Sequence, residues 1–145
     1  MTNLTNSAEI YFKEGFSCSQ AVLAAFADQF GLDKKLALKI SSAFGGGMAR
    51  TANTCGAVTG ALMVVGLKYG RTQAEDKDAK EKVYRLSQEI IDQFIFRNDS
   101  IICKELIGLD ISTPDDHKLA MDNKVFETSC AFFVKDAIEI LEKIV

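Results

Sequence analysis

Four cysteines, Cys18, Cys55, Cys103 and Cys130, are the residues of this chain best suited to chemistry. The thiolate is the nucleophilic and metal-binding form of cysteine, so the first question is what near each sulfur favours negative charge. Ser17 precedes Cys18, Thr54 precedes Cys55, and Thr128 and Ser129 precede Cys130, while Asn98, Asp99 and Ser100 lie shortly before Cys103. Residues of these types cap helix N-termini by accepting hydrogen bonds from free backbone N–H groups. Each cysteine is therefore expected in or beside a first helical turn, where unpaired N–H groups and the helix dipole stabilise a thiolate.

Cys55 has the most distinctive setting. Gly45, Gly46 and Gly47 precede it in "GGGMARTANTC", and Gly56 and Gly60 follow four residues apart, beside Ala57 and Ala61. Glycine in a helix interior is about 1 kcal/mol less favourable than alanine. A run of small residues above Cys55 therefore predicts close approach of another helix or of a bound group, with Gly56 and Gly60 as the contact positions. "GGGMAR" is not a dinucleotide-binding fingerprint, because Arg50 stands where the last glycine should be and no strand precedes it. No lysine follows as in a phosphate-binding loop, so nucleotide binding is not supported.

Three chemical readings stand. In the first, two or more cysteines cycle between dithiol and disulfide, with Cys55 as attacking thiolate, favoured by its helix start and by Arg50, and Cys18 as its partner. In the second, Cys18, Cys55, Cys103 and Cys130 together hold an iron–sulfur cluster or zinc. In the third, the cysteines are small inert core residues. The only histidine, His117, follows Asp115 and Asp116 in a segment after Pro114 and is expected to be a solvated loop residue.

The elements that must position these sulfurs are helical. Apolar residues recur at helical spacing around Ala8–Phe12, from Cys18 to Phe30, and through Leu36, Ala37, Ile40 and Phe44. The same spacing continues from Cys55 to Tyr69, across residues 75–97 with Val83, Leu86, Ile90, Phe94 and Ile95 inward, and from Cys130 to the end. "ICKELIG" adds a turn, "DISTPDD" reads as a loop, and Phe132 and Phe133 read as core. The expectation is an all-α, compact helical bundle of about six helices, with residues 1–145 forming a single domain.

Composition narrows the function classes. The 145 residues carry a net charge of −3 with no basic stripe, which argues against a nucleic-acid partner. The N-terminal residues lack the pattern of a signal peptide, and no apolar run is long enough for a membrane span. A cytoplasmic location, with its reduced thiols, is the expectation, and four cysteines there point to redox or metal work more than to permanent disulfides. The long helix at 75–97 and the C-terminal "IEILEKIV" leave room for a helix-packed homodimer.

Cys18, the run "CGAVTG" from Cys55 to Gly60, Cys103 and Cys130, taken together and in this order, resemble the C_GCAxxG_C_C family of four-cysteine proteins. The likeness extends from "GFSCSQAV" to the helix after Cys130, and "FGGGMAR" entering the motif fits it too. The family label writes glycine before cysteine, whereas this chain reads Cys-Gly-Ala. The resemblance implies a redox-active protein, an oxidoreductase working through its cysteines or an electron-transfer module. It also implies that all four cysteines are site residues, with Gly56 and Gly60 as companions of Cys55. Related domains attached to electron-transfer modules keep an iron–sulfur cluster in play. Neither the sequence nor the resemblance specifies the redox partner or a substrate.

Overall fold

A computed structural model describes residues 3–145. It contains eight α-helices where about six were expected: α1 (Asn3–Lys13), α2 (Cys18–Ala27), α3 (Lys34–Ser41), α4 (Gly56–Tyr69), α5 (Lys77–Asn98), α6 (Cys103–Ile107), α7 (Pro114–Asp122) and α8 (Val125–Ile144). Short 3-10 turns follow α2 and α3, and among the described residues there is no strand beyond an isolated antiparallel bridge between Thr54 and Ile102. The all-α class holds.

The core follows from two helices that are apolar nearly all round, a composition that a helix can carry only when it is enclosed. In α2, Ala21, Val22, Leu23, Ala24, Phe26 and Ala27 are buried, and in α4, Ala57, Val58, Ala61, Val64 and Val65 are buried. α2 packs against α1, α3, α4 and α8, while α4 also packs against α5 and α8. α5 is amphipathic and turns Ile90 and Phe94 inward. Its start is capped by the Asp76 carboxylate, which accepts from the Ala79 N–H at 3.0 Å. Its end is closed by Asp99 in the left-handed region at φ 68°. α8 contributes Val134, Ala137, Ile138, Ile140 and Leu141 to the core. At the α5–α8 crossing, Asp136 accepts from Arg97 at 3.2 Å and from Asn98 at 3.1 Å.

Several sequence expectations need correction. Pro114 does not sit in a loop but at the first position of α7, where its fixed φ and missing N–H are tolerated. Thr113 caps that helix, its hydroxyl accepting from the Asp116 N–H at 3.2 Å. α8 begins at Val125, not near Cys130, so Thr128 and Ser129 lie inside it and do not cap it. The Thr128 hydroxyl instead donates back to the Lys124 carbonyl at 2.8 Å. α3 buries Ala37 and Ser41, leaving Leu36 and Ile40 about half exposed. Ile95 and Phe132, expected inside, face solvent at 39% and 67% exposure.

The smooth face of α4 is used for close approach to α2. A Cβ on Gly60 would stand 2.9 Å from the Ser19 carbonyl oxygen and 3.1 Å from the Val22 Cβ. One on Gly56 would stand 3.0 Å from the Ser19 nitrogen and 3.1 Å from the Phe44 oxygen. Most of these neighbours are backbone and cannot rotate away. Gly66, in the same helix, has open space where a methyl group would go, with nothing within 4 Å, and gains nothing from being glycine. Two substitutions should therefore move stability in opposite directions in thermal or urea unfolding. Gly60→Ala is expected to destabilise by about 1–3 kcal/mol through overpacking. Gly66→Ala is expected to stabilise by about 0.5–1 kcal/mol through helix propensity. Equal effects at the two sites would show that α2 and α4 are not in this contact.

Candidate thiol site

Each cysteine is placed by a different device. Cys18 is the first residue of α2. The start of that helix is held by Gln20, whose Oε1 accepts from the Ser17 N–H at 3.0 Å while its Nε2 donates to the Leu38 carbonyl at 3.0 Å. Ser19 donates from its hydroxyl to the Ser41 carbonyl at 2.9 Å. The entrance to α2 is thereby tied to α3, and Cys18 is carried with it.

Cys55 is the N-cap residue of α4, and the bridge at Thr54 fixes its backbone. Its N–H donates to the Ile101 carbonyl at 2.7 Å, and the Cys103 N–H donates to the Asn53 carbonyl at 2.6 Å. One patch of antiparallel pairing thus holds two cysteines that are far apart in sequence. Cys103 opens the short helix α6, and Cys130 lies on the body of α8, more than one turn from its start. The expectation of four helix N-termini is met at Cys18, Cys55 and Cys103 and fails at Cys130.

The segment before Cys55 carries the longest run of left-handed backbone among the described residues. Gly46, Gly47, Met48, Ala49 and Arg50 all have positive φ, between 53° and 71°, and Ala52 does at 59°. Left-handed backbone costs an L-residue roughly 1–2 kcal/mol, and four of these six are not glycine. Hydrogen bonds hold the turn, including Ala49 N–H to the Ala43 carbonyl at 2.7 Å and Asn53 N–H to the Gly47 carbonyl at 2.9 Å. The Thr51 hydroxyl adds a bond to the Met48 carbonyl at 2.6 Å. The glycines form the first part of a compact left-handed turn, which is more than a flexible hinge.

The turn, the two bridge segments, the α1–α2 junction, α7 and α8 surround one cavity of about 910 Å³, open on one side. All four cysteines line it. Cys55, Cys103 and Cys130 are buried, at 5%, 8% and 6% exposure, and Cys18 is partly so. Phe12, Phe16, Met121, Phe126 and Phe133 supply apolar wall, while Arg50, His117 and Glu127 add charge or polarity. Gly56 lies on the wall, whereas the space above Gly60 is filled by Ser19 and Val22 of α2. His117 is on α7 and not in a loop, partly buried, its ring 5.9 Å from that of Phe126. None of the aromatic wall residues could be singled out in the sequence, because their spacing is that of any core residue.

The sulfurs differ in acidity for identifiable reasons. The Cys18 thiol donates to the Cys130 sulfur, which pushes the Cys18 value well above normal, with burial and the charges of Cys130, Cys55 and Cys103 acting in the same direction. That donated hydrogen bond holds the Cys130 value below normal, against burial and the nearby Glu127 carboxylate. Burial pushes Cys55 up to about 12, and Cys130 and Cys103 add to the rise. The N–H groups of Ala57 and Val58 at the start of α4 favour its thiolate, as the sequence implied, but desolvation outweighs them. Cys103 is pushed up to about 11 by burial, Cys130 and Asp110. Arg50, expected beside the Cys55 sulfur, is exposed and is not among the charges acting on it. Of the four thiols Cys130 is the one shifted toward its thiolate, and the hydrogen bond with Cys18 is the cause.

A metal centre needs its donors gathered around one point, with zinc–sulfur distances near 2.3 Å. Among the described residues no group of three or more His, Cys, Asp or Glu is arranged to hold a metal ion.

Residues 16–144 match the family model described as "Putative redox-active protein (C_GCAxxG_C_C)". No curated protein and no solved structure matches the chain. Among the described residues no helix is long and apolar enough to cross a membrane.

Two measurements check the acidity order. Brief treatment of the reduced protein with iodoacetamide at neutral pH, followed by peptide mass mapping, should label Cys130 ahead of Cys55 and Cys103. Cys18→Ala should slow that labelling several-fold by removing the donor. Labelling that begins at Cys55 would contradict the order. The second is alkaline unfolding. Cys55 and Cys103 keep their protons in the folded chain to about 12 and 11, against an ordinary value of 9.0. The folded state then binds more protons than the unfolded state, so stability falls as pH rises. Their contribution should be complete below about pH 9 and lost as pH climbs through 11 to 12, and Cys55→Ala should flatten that fall.

Proposed function

The chain belongs to the C_GCAxxG_C_C family, and on that premise we propose that it is a thiol–disulfide redox protein whose working pair is Cys18 and Cys130. What supports this reading is the position of both residues on the wall of one cavity, with a hydrogen bond between them that shifts Cys130 toward its thiolate and holds the proton on Cys18. A dithiol needs an attacking thiolate and a second sulfur within reach, and this pair supplies both. The Cys130 thiolate attacks one sulfur of a disulfide acceptor, forming a mixed disulfide and releasing one thiolate. Cys18 loses its proton and attacks the Cys130 sulfur, forming the Cys18–Cys130 disulfide and releasing the second thiolate. Two electrons pass to the acceptor, and the two released thiolates take up two protons. A dithiol donor reverses the sequence.

The pairing differs from the Cys55–Cys18 pairing expected from the sequence, because burial disables Cys55 as an attacker. Cys55 and Cys103, joined through the backbone bridge, are placed as protonated neighbours of the pair.

The test is a thiol count with mass mapping on anaerobically purified protein, before and after oxidation by diamide. The expected result is reversible loss of two thiols, a mass decrease of about 2 Da and a linked Cys18–Cys130 peptide pair. Cys130→Ser should abolish the first disulfide, while Cys55→Ser should retain it. Stoichiometric iron with sulfide, or zinc, in the purified protein would overturn the proposal in favour of the four-cysteine metal reading. Four thiols that resist oxidation would leave the cysteines as core residues.

A further inference from the structure

The position of the thiols limits what can reach them. A disulfide in a folded protein is presented on a surface, and exchange requires its two sulfurs and the attacking sulfur to come nearly into line. Cys130 is 6% exposed and lies on the wall of the cavity, with Cys18 beside it. Cys130 is recessed within the cavity, so a small disulfide reaches it more readily than one held on a protein surface. The cavity, at about 910 Å³, is at the upper end of the range that encloses small molecules, and its wall combines aromatic rings with a few polar groups.

One of those polar groups is unusual. Arg50 lines the cavity and is exposed, and among the described residues its side chain makes no ion pair or hydrogen bond. Its backbone is left-handed at φ 59°, the last of five consecutive residues held that way. Strain of this kind persists only where surrounding structure enforces it, and it gathers at ligand-binding positions. Here its product is a guanidinium presented to the cavity with all its donors free. The counter-charge it lacks in the chain is one that a ligand can bring.

We propose that the cavity binds a low-molecular-weight disulfide bearing a carboxylate, with Arg50 holding the carboxylate and the Cys18–Cys130 pair reducing the disulfide. This inference rests on the dithiol reading above and names its substrate class. Glu127, one turn before Cys130 on α8, also lines the cavity and disfavours a second negative charge close to the sulfur. The carboxylate is thereby directed toward Arg50 and the sulfur–sulfur bond toward Cys130. In the reaction the substrate disulfide gains two electrons from the pair, one proton from Cys18 and one from water, and leaves as two thiols, while the protein is left with a Cys18–Cys130 disulfide.

The experiment is single-turnover oxidation of the reduced, full-length protein, quenched with acid and read as thiols remaining. Three probes are used: dithiodipropionate, which carries carboxylates, hydroxyethyl disulfide, which is neutral, and insulin as a protein disulfide. Dithiodipropionate should react fastest and insulin slowest. Arg50→Ala should lower the ratio of the dithiodipropionate rate to the hydroxyethyl disulfide rate by about tenfold, the loss of one charge-assisted contact. Arg50→Lys, which keeps the charge, should recover part of the ratio. Insulin reduced as fast as the small disulfides would overturn the small-molecule assignment. A ratio near unity in the wild type, or one unchanged by Arg50→Ala, would overturn the role of Arg50. Failure of diamide to form any intramolecular disulfide in the same preparation would instead overturn the underlying dithiol reading.

Discussion

The closeness of α2 to α4 is the constraint from which the rest of the site follows. Ser19 sits at the contact, its backbone against the bare Cα atoms of Gly56 and Gly60 and its hydroxyl on the Ser41 carbonyl. Because the helices meet near their N-termini, Cys18 and Cys55 are brought to the same wall. The glycines of the CGAVTG motif thus make room for a neighbouring helix, not for a ligand beside Gly60. The apolar faces of both helices then close around the same junction.

Burial sets the chemistry within this frame. The first turn of α4 does favour a thiolate at Cys55, yet removing that sulfur from water matters more. At Cys130 the balance is reversed by a single hydrogen bond from Cys18. The two outcomes have the same ingredients in different proportions, and the decisive one is a contact between residues at opposite ends of the chain. Around them the cavity lies between the main core and a smaller cluster of Ala52, Cys103, Ile111 and Ala120.

What is legible in the sequence is what depends on neighbours along the chain. The all-α class, the inward stripe of α5 at Ile90 and Phe94, and the helix start at Cys18 rest on local spacing and capping residues, whereas α4 starts at Cys55 without a cap from Thr54, which pairs with Ile102 instead. Expectation and structure part where local signals have more than one meaning. Pro114 ends one helix as readily as it begins another, and here it begins α7, which carries His117 to the cavity. Thr128 and Ser129 look like caps but lie within α8, so they point to the wrong start for the helix that carries Cys130. Leu36 and Ile40 have helical spacing, yet α3 turns the smaller Ala37 and Ser41 inward. The Cys18–Cys130 contact has no local signature, nor has the left-handed turn beyond its glycines.

The span between the two paired sulfurs has a consequence for folding. Cys18 lies at the start of α2 and Cys130 in the last helix, so a bond between them closes a loop of most of the chain. Chain-entropy reasoning assigns a cross-link over a loop of about 100 residues roughly 4.7 kcal/mol, taken from the unfolded ensemble. By the same thermodynamic cycle, the folded chain holds the bond more tightly than the unfolded chain does. On the proposed pairing, redox potential and conformational stability would be two readings of one quantity, and the oxidised protein would resist heat better than the reduced one. During synthesis Cys130 leaves the ribosome long after Cys18, so the proposed couple would form only once the last helix has docked.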